Sequence, residues 1–137
     1  MANAINSQYP HLRPDEVEVW KRFLAAFPAR FSSFNYDVRV GPGVKLEDGS
    51  SEPIKKMALG LSQKRIDVVA EGVEGLTLVE ISPNAGAGSV GQLLVYQTLW
   101  VREHQNKPPP KLLLVTGFER SDIREVTADT GVELVVV

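Results

Sequence analysis

The chain has 137 residues, of which 43% are hydrophobic and 23% are charged, and its formal net charge at pH 7 is −2. This length and composition fit one globular domain with a core of its own. The absence of cysteine excludes disulfides and thiolate metal sites, and two histidines make a zinc site a poor prospect. The charge also excludes attraction of the whole chain to nucleic acid, which leaves only local basic clusters for that role.

Nothing in the sequence indicates a membrane span or an export signal. The uninterrupted apolar runs are far shorter than the ~20 residues that a spanning helix needs. The N-terminal stretch lacks the basic start and apolar centre of a signal peptide. We therefore expect one domain over residues 1–137, with a polar lead at 1–13 and a long loop at 41–63, located in the cytoplasm or in a virus particle.

The first predicted element is an amphipathic helix in the stretch RPDEVEVWKRFLAAFPARF. Asp15 and Glu16 lie in its first turn, and Pro28 ends it. The apolar residues at helical spacing are Val17, Trp20, Phe23, Leu24 and Phe27. The next stretch, SSFNYDVRVGPG, alternates apolar and polar residues, which predicts a half-buried strand that stops at Gly41.

Two apolar runs joined around Gly72 and Gly75 follow the long loop, and they predict a β-hairpin. A glycine-rich entry then leads into a second helix, which we expect to end at Asn106 and the triple proline. KLLLVT is an apolar run typical of a strand buried on both faces. A short helix with Gly131 just beyond its end and a last strand, VELVVV, complete the chain.

The predicted order is therefore α-β-β-β-α-β-α-β. A three-strand meander followed by crossover helices implies a mixed sheet, because antiparallel neighbours need only short turns whereas parallel neighbours need a crossover. Helices on both faces of that sheet would bury its two sides. The fold class predicted from the element order is α/β.

Two carboxylates and a pair of residues on a helix carry the chemistry. Asp67 lies in the first strand of the hairpin and Glu80 in the second, with Ser82 two residues beyond, and GQLLVY places Gln92 and Tyr96 four positions apart. This pattern resembles the PD-(D/E)xK nuclease superfamily, in which one strand supplies an aspartate and the next a Glu-x-Lys triplet. The helical pair resembles the Gln-x-x-x-Tyr motif of its exonuclease branch. The resemblance implies a restriction-endonuclease-like mixed β-sheet flanked by helices.

The resemblance also implies a site for Mg²⁺ or Mn²⁺. Asp67 and Glu80 would hold the ion beside a scissile phosphate, where it lowers the pKa of the attacking water. A lysine would orient that water and stabilise the developing negative charge. Ser82 occupies the position of this lysine, and a neutral hydroxyl cannot supply the charge. Gln92 and Tyr96 are further candidates by analogy.

Arg65 is the best-placed substitute for the missing lysine. Residues 88–105 contain no lysine, and alternation along the strand would put Arg65 on the same face as Asp67. Its guanidinium stays protonated, so it would bind a phosphate or pair with Glu80 but would be a poor base. A cluster of basic residues forms a candidate nucleic-acid-binding surface, with a solvated surface as the alternative: Lys55, Lys56, Lys64 and Arg65.

The same residues also allow interpretations without catalysis. Asp67 and Glu80 could belong to a salt-bridge network with Arg65 or Arg39. Gln92 and Tyr96, one helical turn apart, could form an ordinary polar contact. The glycine-rich run of residues 84–91 has the spacing G-x-G-x-x-G, which is weak evidence for a phosphate-binding loop because no lysine follows it.

Three hypotheses about function follow. The first, favoured by Ser82, is a nuclease-like domain without catalysis that acts as a binding or assembly module and needs no cofactor. The second is an active Mg²⁺- or Mn²⁺-dependent DNA nuclease that uses Asp67 and Glu80. The third is a nucleotide-binding α/β domain. The apolar C-terminal strand would be an aggregation liability at a sheet edge, so we expect other protein chains as partners, in an oligomer or a larger assembly.

Overall fold

The computed structural model describes residues 8–9, 11–43, 49, 51–56 and 63–137. Three helices and five strands follow one another in the predicted order. They are α1 (Pro14–Ala26), β1 (Ser33–Val40), β2 (Lys64–Gly72), β3 (Gly75–Ser82), α2 (Ala87–Glu103), β4 (Lys111–Thr116), α3 (Ile123–Thr130) and β5 (Val132–Val136). Among the described residues, no helix is both long enough and apolar enough to cross a membrane.

The five strands form one sheet in the order β1-β2-β3-β4-β5. The pairs β1–β2 and β2–β3 are antiparallel, whereas β3–β4 and β4–β5 are parallel. This confirms the predicted mixed sheet: the hairpin turn at Gly75, with φ of 104°, allows antiparallel pairing, and helices α2 and α3 provide the crossovers.

Each face of the sheet is covered by helix. Helix α1 packs on one face, where Trp20 and Phe23 are fully buried and their rings stack with centroids 5.1 Å apart. Helices α2 and α3 pack on the other face through Leu93 and Ile123. The predicted apolar face of α1 is correct except at Phe27, which is 39% exposed because it is the residue that ends the helix.

Two boundaries differ from the prediction. Helix α2 ends at Glu103, before Asn106, because His104 leaves helical geometry. The His104 ring stacks on Trp100 and its Nδ1 lies 2.9 Å from the Trp100 carbonyl oxygen, which gives that terminal carbonyl a partner. The predicted polar lead also contributes to the core, since Tyr9 and Leu12 are buried under α1.

The prediction of a long loop at 41–63 falls partly outside the described residues. Within the described part, residues 52–56 form a short helical turn. Gly41 is anchored to α2, because its backbone N–H donates to Glu103 Oε1 at 2.7 Å. Gln63 Nε2 donates to the Gly41 carbonyl oxygen at 2.7 Å, so the two ends of this segment lie close together.

Candidate functional site: a buried carboxylate pair

The two predicted carboxylates lie side by side where the pairing of β2 with β3 ends. The paired register runs from Gly72 opposite Gly75 to Val68 opposite Val79, so Asp67 and Glu80 are the next opposing residues. Beyond that point the Asp67 side chain takes the place of a backbone hydrogen-bond acceptor, because the Ile81 N–H donates to Asp67 Oδ2 at 2.9 Å. Asp67 therefore both belongs to the pair and holds β3 beside β2.

The regular alternation of β2 is interrupted at Asp67. Ile66 belongs to the core beneath α2, whereas Val68, two residues on, belongs to the core beneath α1. In an undistorted strand these two side chains would share a face. The same change occurs on β1 around Asp37, whose φ is 55°. The distortion turns Asp67 toward Glu80. Because the strand does not alternate regularly here, the prediction that Arg65 shares a face with Asp67 loses its basis.

Burial and mutual proximity change the acidity of both groups. Asp67 is 8% exposed and Glu80 is 9% exposed. Burial raises the pKa of Asp67 to about 6, an effect opposed by the hydrogen bond from the Ile81 N–H. Burial, and then the adjacent Asp67 carboxylate, raise the pKa of Glu80 to about 9. At neutral pH the pair therefore holds a proton in the hydrogen bond between its two side chains.

Two further side chains border the pair. Glu16, in the first turn of α1, adds a negative charge that contributes to raising the pKa of both carboxyl groups. Tyr96, on α2, is buried, and its pKa is raised by that burial and then by the charges of Glu80 and Asp67. The sequence indicates only that Glu16 belongs to an acidic first turn, because no local pattern shows that α1 crosses this end of the sheet.

The remaining member of the helical motif differs from Tyr96 in burial. Gln92 is exposed, whereas Tyr96, one turn further along the same helix, is buried. The structure therefore buries Tyr96 beside the carboxylate pair and leaves Gln92 exposed on the same helix. The alternative interpretation, a polar contact between Gln92 and Tyr96, has no hydrogen bond to support it among the described residues.

Arg65 is held by another carboxylate. Its Nε and Nη2 atoms donate to Asp37 Oδ1 and Oδ2 at 2.6 and 2.5 Å, a bidentate pair that lowers the pKa of Asp37. Neither Asp67 nor Glu80 forms an ion pair with a described residue. The interpretation of the two as part of a salt-bridge network with Arg65 or Arg39 is therefore wrong for the described part of the chain.

Ser82 is the last residue of β3 and is half-buried. Alternation places its side chain on the same face as Glu80, as the nuclease pattern requires of the lysine. Its carbonyl oxygen accepts a hydrogen bond from the Gly117 N–H at 3.3 Å, which joins the ends of β3 and β4. The site thus contains a neutral hydroxyl where a cation would stand.

The donor set fits a divalent cation only in part. Carboxylate oxygens are the ligands that Mg²⁺ and Mn²⁺ prefer. Within the described ranges, however, no group of three acidic or histidine side chains gathers to hold a metal. Asp67 and Glu80 are also hydrogen-bonded to each other through a proton, which a metal would have to displace. The arrangement suits a shared proton better than a divalent ion.

The other sequence motifs do not converge on this pair. Of the four basic candidates for nucleic-acid binding, Lys55 pairs with Glu52 at 3.7 Å and Arg65 pairs with Asp37, while Lys56 and Lys64 are exposed. The glycine-rich run forms the turn into α2, and none of its glycines has a positive φ. That run therefore lacks the special backbone conformation expected of a phosphate-cradling loop.

Comparison with known proteins bears on the fold. No family model matches the chain, and no curated protein matches it in sequence. The solved structure of an EndoMS–dsDNA2 complex is similar over 94% of this chain, with a TM-score of 0.53 and 14% identity. This chain spans 47%, or about half, of the chain that it matches. Such a likeness shows the fold alone: a mixed five-stranded sheet flanked by helices, of the restriction-endonuclease-like α/β class.

Proposed function

We propose that the domain keeps a nuclease-like fold without cleaving phosphodiester bonds, and that it serves as a binding or assembly module. One observation carries the proposal: no lysine or arginine of the described chain pairs with Asp67 or Glu80. Ser82 is neutral, and Arg65 is fully engaged by Asp37. His11 lowers the pKa of Asp67, but this effect is the weakest of those that act on the Asp67 carboxyl group.

The chemistry of cleavage explains why this observation matters. Negative charge develops on the phosphate oxygens in the transition state, and a fixed cation is needed to stabilise it. A metal ion would supply the activated water, but it binds carboxylates only after they lose their protons. In this domain the raised pKa of Glu80 opposes that loss at neutral pH.

The class of partner is part of the proposal. DNA is supported by the EndoMS–dsDNA2 complex, whose fold is similar. A further protein chain is supported by the apolar edge strand β5, where Val136 is 42% exposed. An assembly in a virus particle or in the cytoplasm would suit such a module. No cofactor is required for either partner.

A metal-dependent nuclease is the second candidate. The convergence of Asp67, Glu80 and Tyr96 on one buried point favours it, since these are three of the residues that the nuclease pattern marks. It requires Mg²⁺ or Mn²⁺ held by the two carboxylates and a source of positive charge in place of Ser82. No comparable convergence of residues among those described favours the nucleotide-binding hypothesis.

A cleavage assay separates the two candidates. Plasmid and linear DNA are incubated with the protein in Mg²⁺ or Mn²⁺, beside the Asp67→Ala variant. We expect no difference in cutting between the two proteins, because no lysine or arginine of the described residues pairs with Asp67 or Glu80. Metal-dependent cutting by the unmodified chain that the Asp67→Ala variant loses would overturn the proposal in favour of the nuclease.

A further inference from the structure

Two arginines that form no ion pair with a described carboxylate lie at the ends of the parallel strands. Arg22, on α1, reaches the turns that follow β3 and β4: a methyl group at Gly117 would lie 3.1 Å from its Nη2 atom and 3.1 Å from the Pro83 carbonyl oxygen. Arg120 Nε donates to Asn84 Oδ1 at 3.0 Å. Both guanidiniums therefore lie near the turn that follows β3, Arg22 close to Pro83 and Arg120 bonded to Asn84.

These arginines differ from most others in the described chain. Arg30, Arg65 and Arg124 each make two hydrogen bonds to one carboxylate. Arg22 and Arg120 are exposed, and neither forms an ion pair with a described residue. A guanidinium presents a rigid fork of donors that matches carboxylate or phosphate oxygens.

An exposed aromatic residue, Phe118, directly follows Gly117, the residue that the Arg22 guanidinium approaches. Phe118 is 60% exposed, and it lines a cleft of about 520 Å³ together with Asn84, Arg120 and Asp122. Its backbone is fixed by a fully buried residue, because Thr116 Oγ1 donates to the Phe118 carbonyl oxygen at 3.0 Å. One exposed phenylalanine is common on protein surfaces. A ring held in place beside two unpaired guanidiniums is a more specific combination.

We infer that this surface, defined by Arg22, Phe118 and Arg120, binds single-stranded nucleic acid. The two guanidiniums would contact successive backbone phosphates, and the Phe118 ring would stack on an unpaired base. An acidic peptide would satisfy the arginines but would leave the ring without a flat partner. The inference rests on the proposed binding role and names its partner, and it differs from the earlier basic candidates, of which Arg65 and Lys55 are paired within the chain.

Fluorescence anisotropy with a labelled oligothymidine of 20 nucleotides tests the inference. The full chain is titrated in EDTA, where metal-dependent cutting cannot occur, at several salt concentrations. In the double variant Arg22→Gln, Arg120→Gln we expect affinity at low salt to fall about tenfold or more. The slope of log affinity against log salt should become shallower by about 1.4, because two phosphate contacts on a single strand are lost.

Two further variants test the geometry. Phe118→Ala should lower affinity by about fivefold to a hundredfold with the salt slope unchanged, because stacking carries no charge. Arg102→Ala is the matched control: Arg102 is also exposed and without an ion pair among the described residues, but it lies on α2, so binding should not change. Thermal unfolding confirms that each variant is folded.

The outcomes separate this inference from the proposed function. The inference is overturned if the unmodified chain does not bind the oligothymidine. It is also overturned if Arg102→Ala lowers the affinity as much as the double arginine variant does. A third contrary result is that polyglutamate competes as well as the oligothymidine while Phe118→Ala leaves the affinity unchanged. The same oligonucleotide in Mg²⁺ reports cleavage independently. Binding with cutting would refute the non-catalytic function and retain the surface, whereas neither binding nor cutting would refute the surface and retain the non-catalytic function.

Discussion

Glu80 is a carboxyl group in the middle of a sheet, with apolar residues on either side of it. Its burial is tolerated because Asp67 accepts its proton in a hydrogen bond, and because Asp67 is itself satisfied by the Ile81 N–H. A lone buried carboxylate would cost several kcal/mol, roughly, and would be neutralised. Because the two carboxyl groups share one proton, the pair carries one negative charge instead of two.

The shared proton makes stability depend on pH. The folded protein keeps the proton on Glu80 up to about pH 9, whereas the unfolded chain loses it near its ordinary value of 4.5. The stabilisation is therefore complete at low pH and is lost as the pH rises between these values. In Glu80→Gln this loss is removed, because an amide cannot ionise and still donates to Asp67.

We expect Glu80→Gln to be more stable than the unmodified chain at pH 8, by about 2 kcal/mol or more, since one unit of pKa shift corresponds to about 1.4 kcal/mol. The difference should disappear near pH 4. Urea unfolding at both pH values measures it, with the exposed Glu18→Gln as the control that should change little. Equal stability of Glu80→Gln and the unmodified chain at pH 8 would refute the buried, proton-sharing pair.

The sequence predicted that Asp67 and Glu80 lie on the two strands of one hairpin, because the turn at Gly72 and Gly75 fixes the register between them. It could not predict the position of Arg65. That position depends on the distortion opposite Asp37, whose positive φ is not encoded in any alternating pattern. The sequence also could not predict the protonation of the pair, since that depends on burial by a helix that is distant in the chain.

At the scale of elements, the buried Thr116 hydroxyl joins the segments that follow β3 and β4, in addition to the bond between Ser82 and Gly117. Thr116 Oγ1 accepts from the Ala85 N–H at 3.1 Å and donates to the Phe118 carbonyl oxygen. Both Thr116 and Ala85 are fully buried, so water cannot replace the bond. This one side chain therefore sets the course of the turn into α2 and of the segment that presents Phe118.

Replacing this hydroxyl tests the junction. Thr116→Val has nearly the same shape but leaves the Ala85 N–H without a partner, and we expect a loss of about 1–3 kcal/mol in the free energy of unfolding. Thr116→Ser keeps the hydroxyl and loses a methyl group, with an expected cost of about 1 kcal/mol. Denaturant unfolding compares the two variants. A valine variant as stable as the unmodified chain would show that the bond is not needed.

At the scale of the whole molecule, the order and type of all eight elements followed from punctuation and periodicity. The boundary errors have local causes: His104 supplies its own cap to α2, and Phe27 ends α1 instead of packing beneath it. The burial of Tyr9 and Leu12 escaped prediction because two apolar residues in a polar segment have no period. Long-range packing, not local pattern, decides such cases.

The fold brings three candidate features to one end of the sheet. The carboxylate pair lies within it, Ser82 ends the strand that carries Glu80, and the arginine and phenylalanine surface follows directly beyond. If the proposed non-catalytic function is correct, this arginine and phenylalanine surface would serve binding. The carboxylate pair would then serve the structure, because Asp67 holds β3 beside β2.

Titration calorimetry with Mn²⁺ at pH 7 tests the central claim most directly, that the pair of Asp67 and Glu80 holds a proton and not a metal. The unmodified chain and the Asp67→Ala variant are compared in two buffers of different ionisation enthalpy, which reveals any released proton. We predict no saturable heat that distinguishes the two proteins. Saturable Mn²⁺ binding that releases a proton and is lost in Asp67→Ala would contradict the claim.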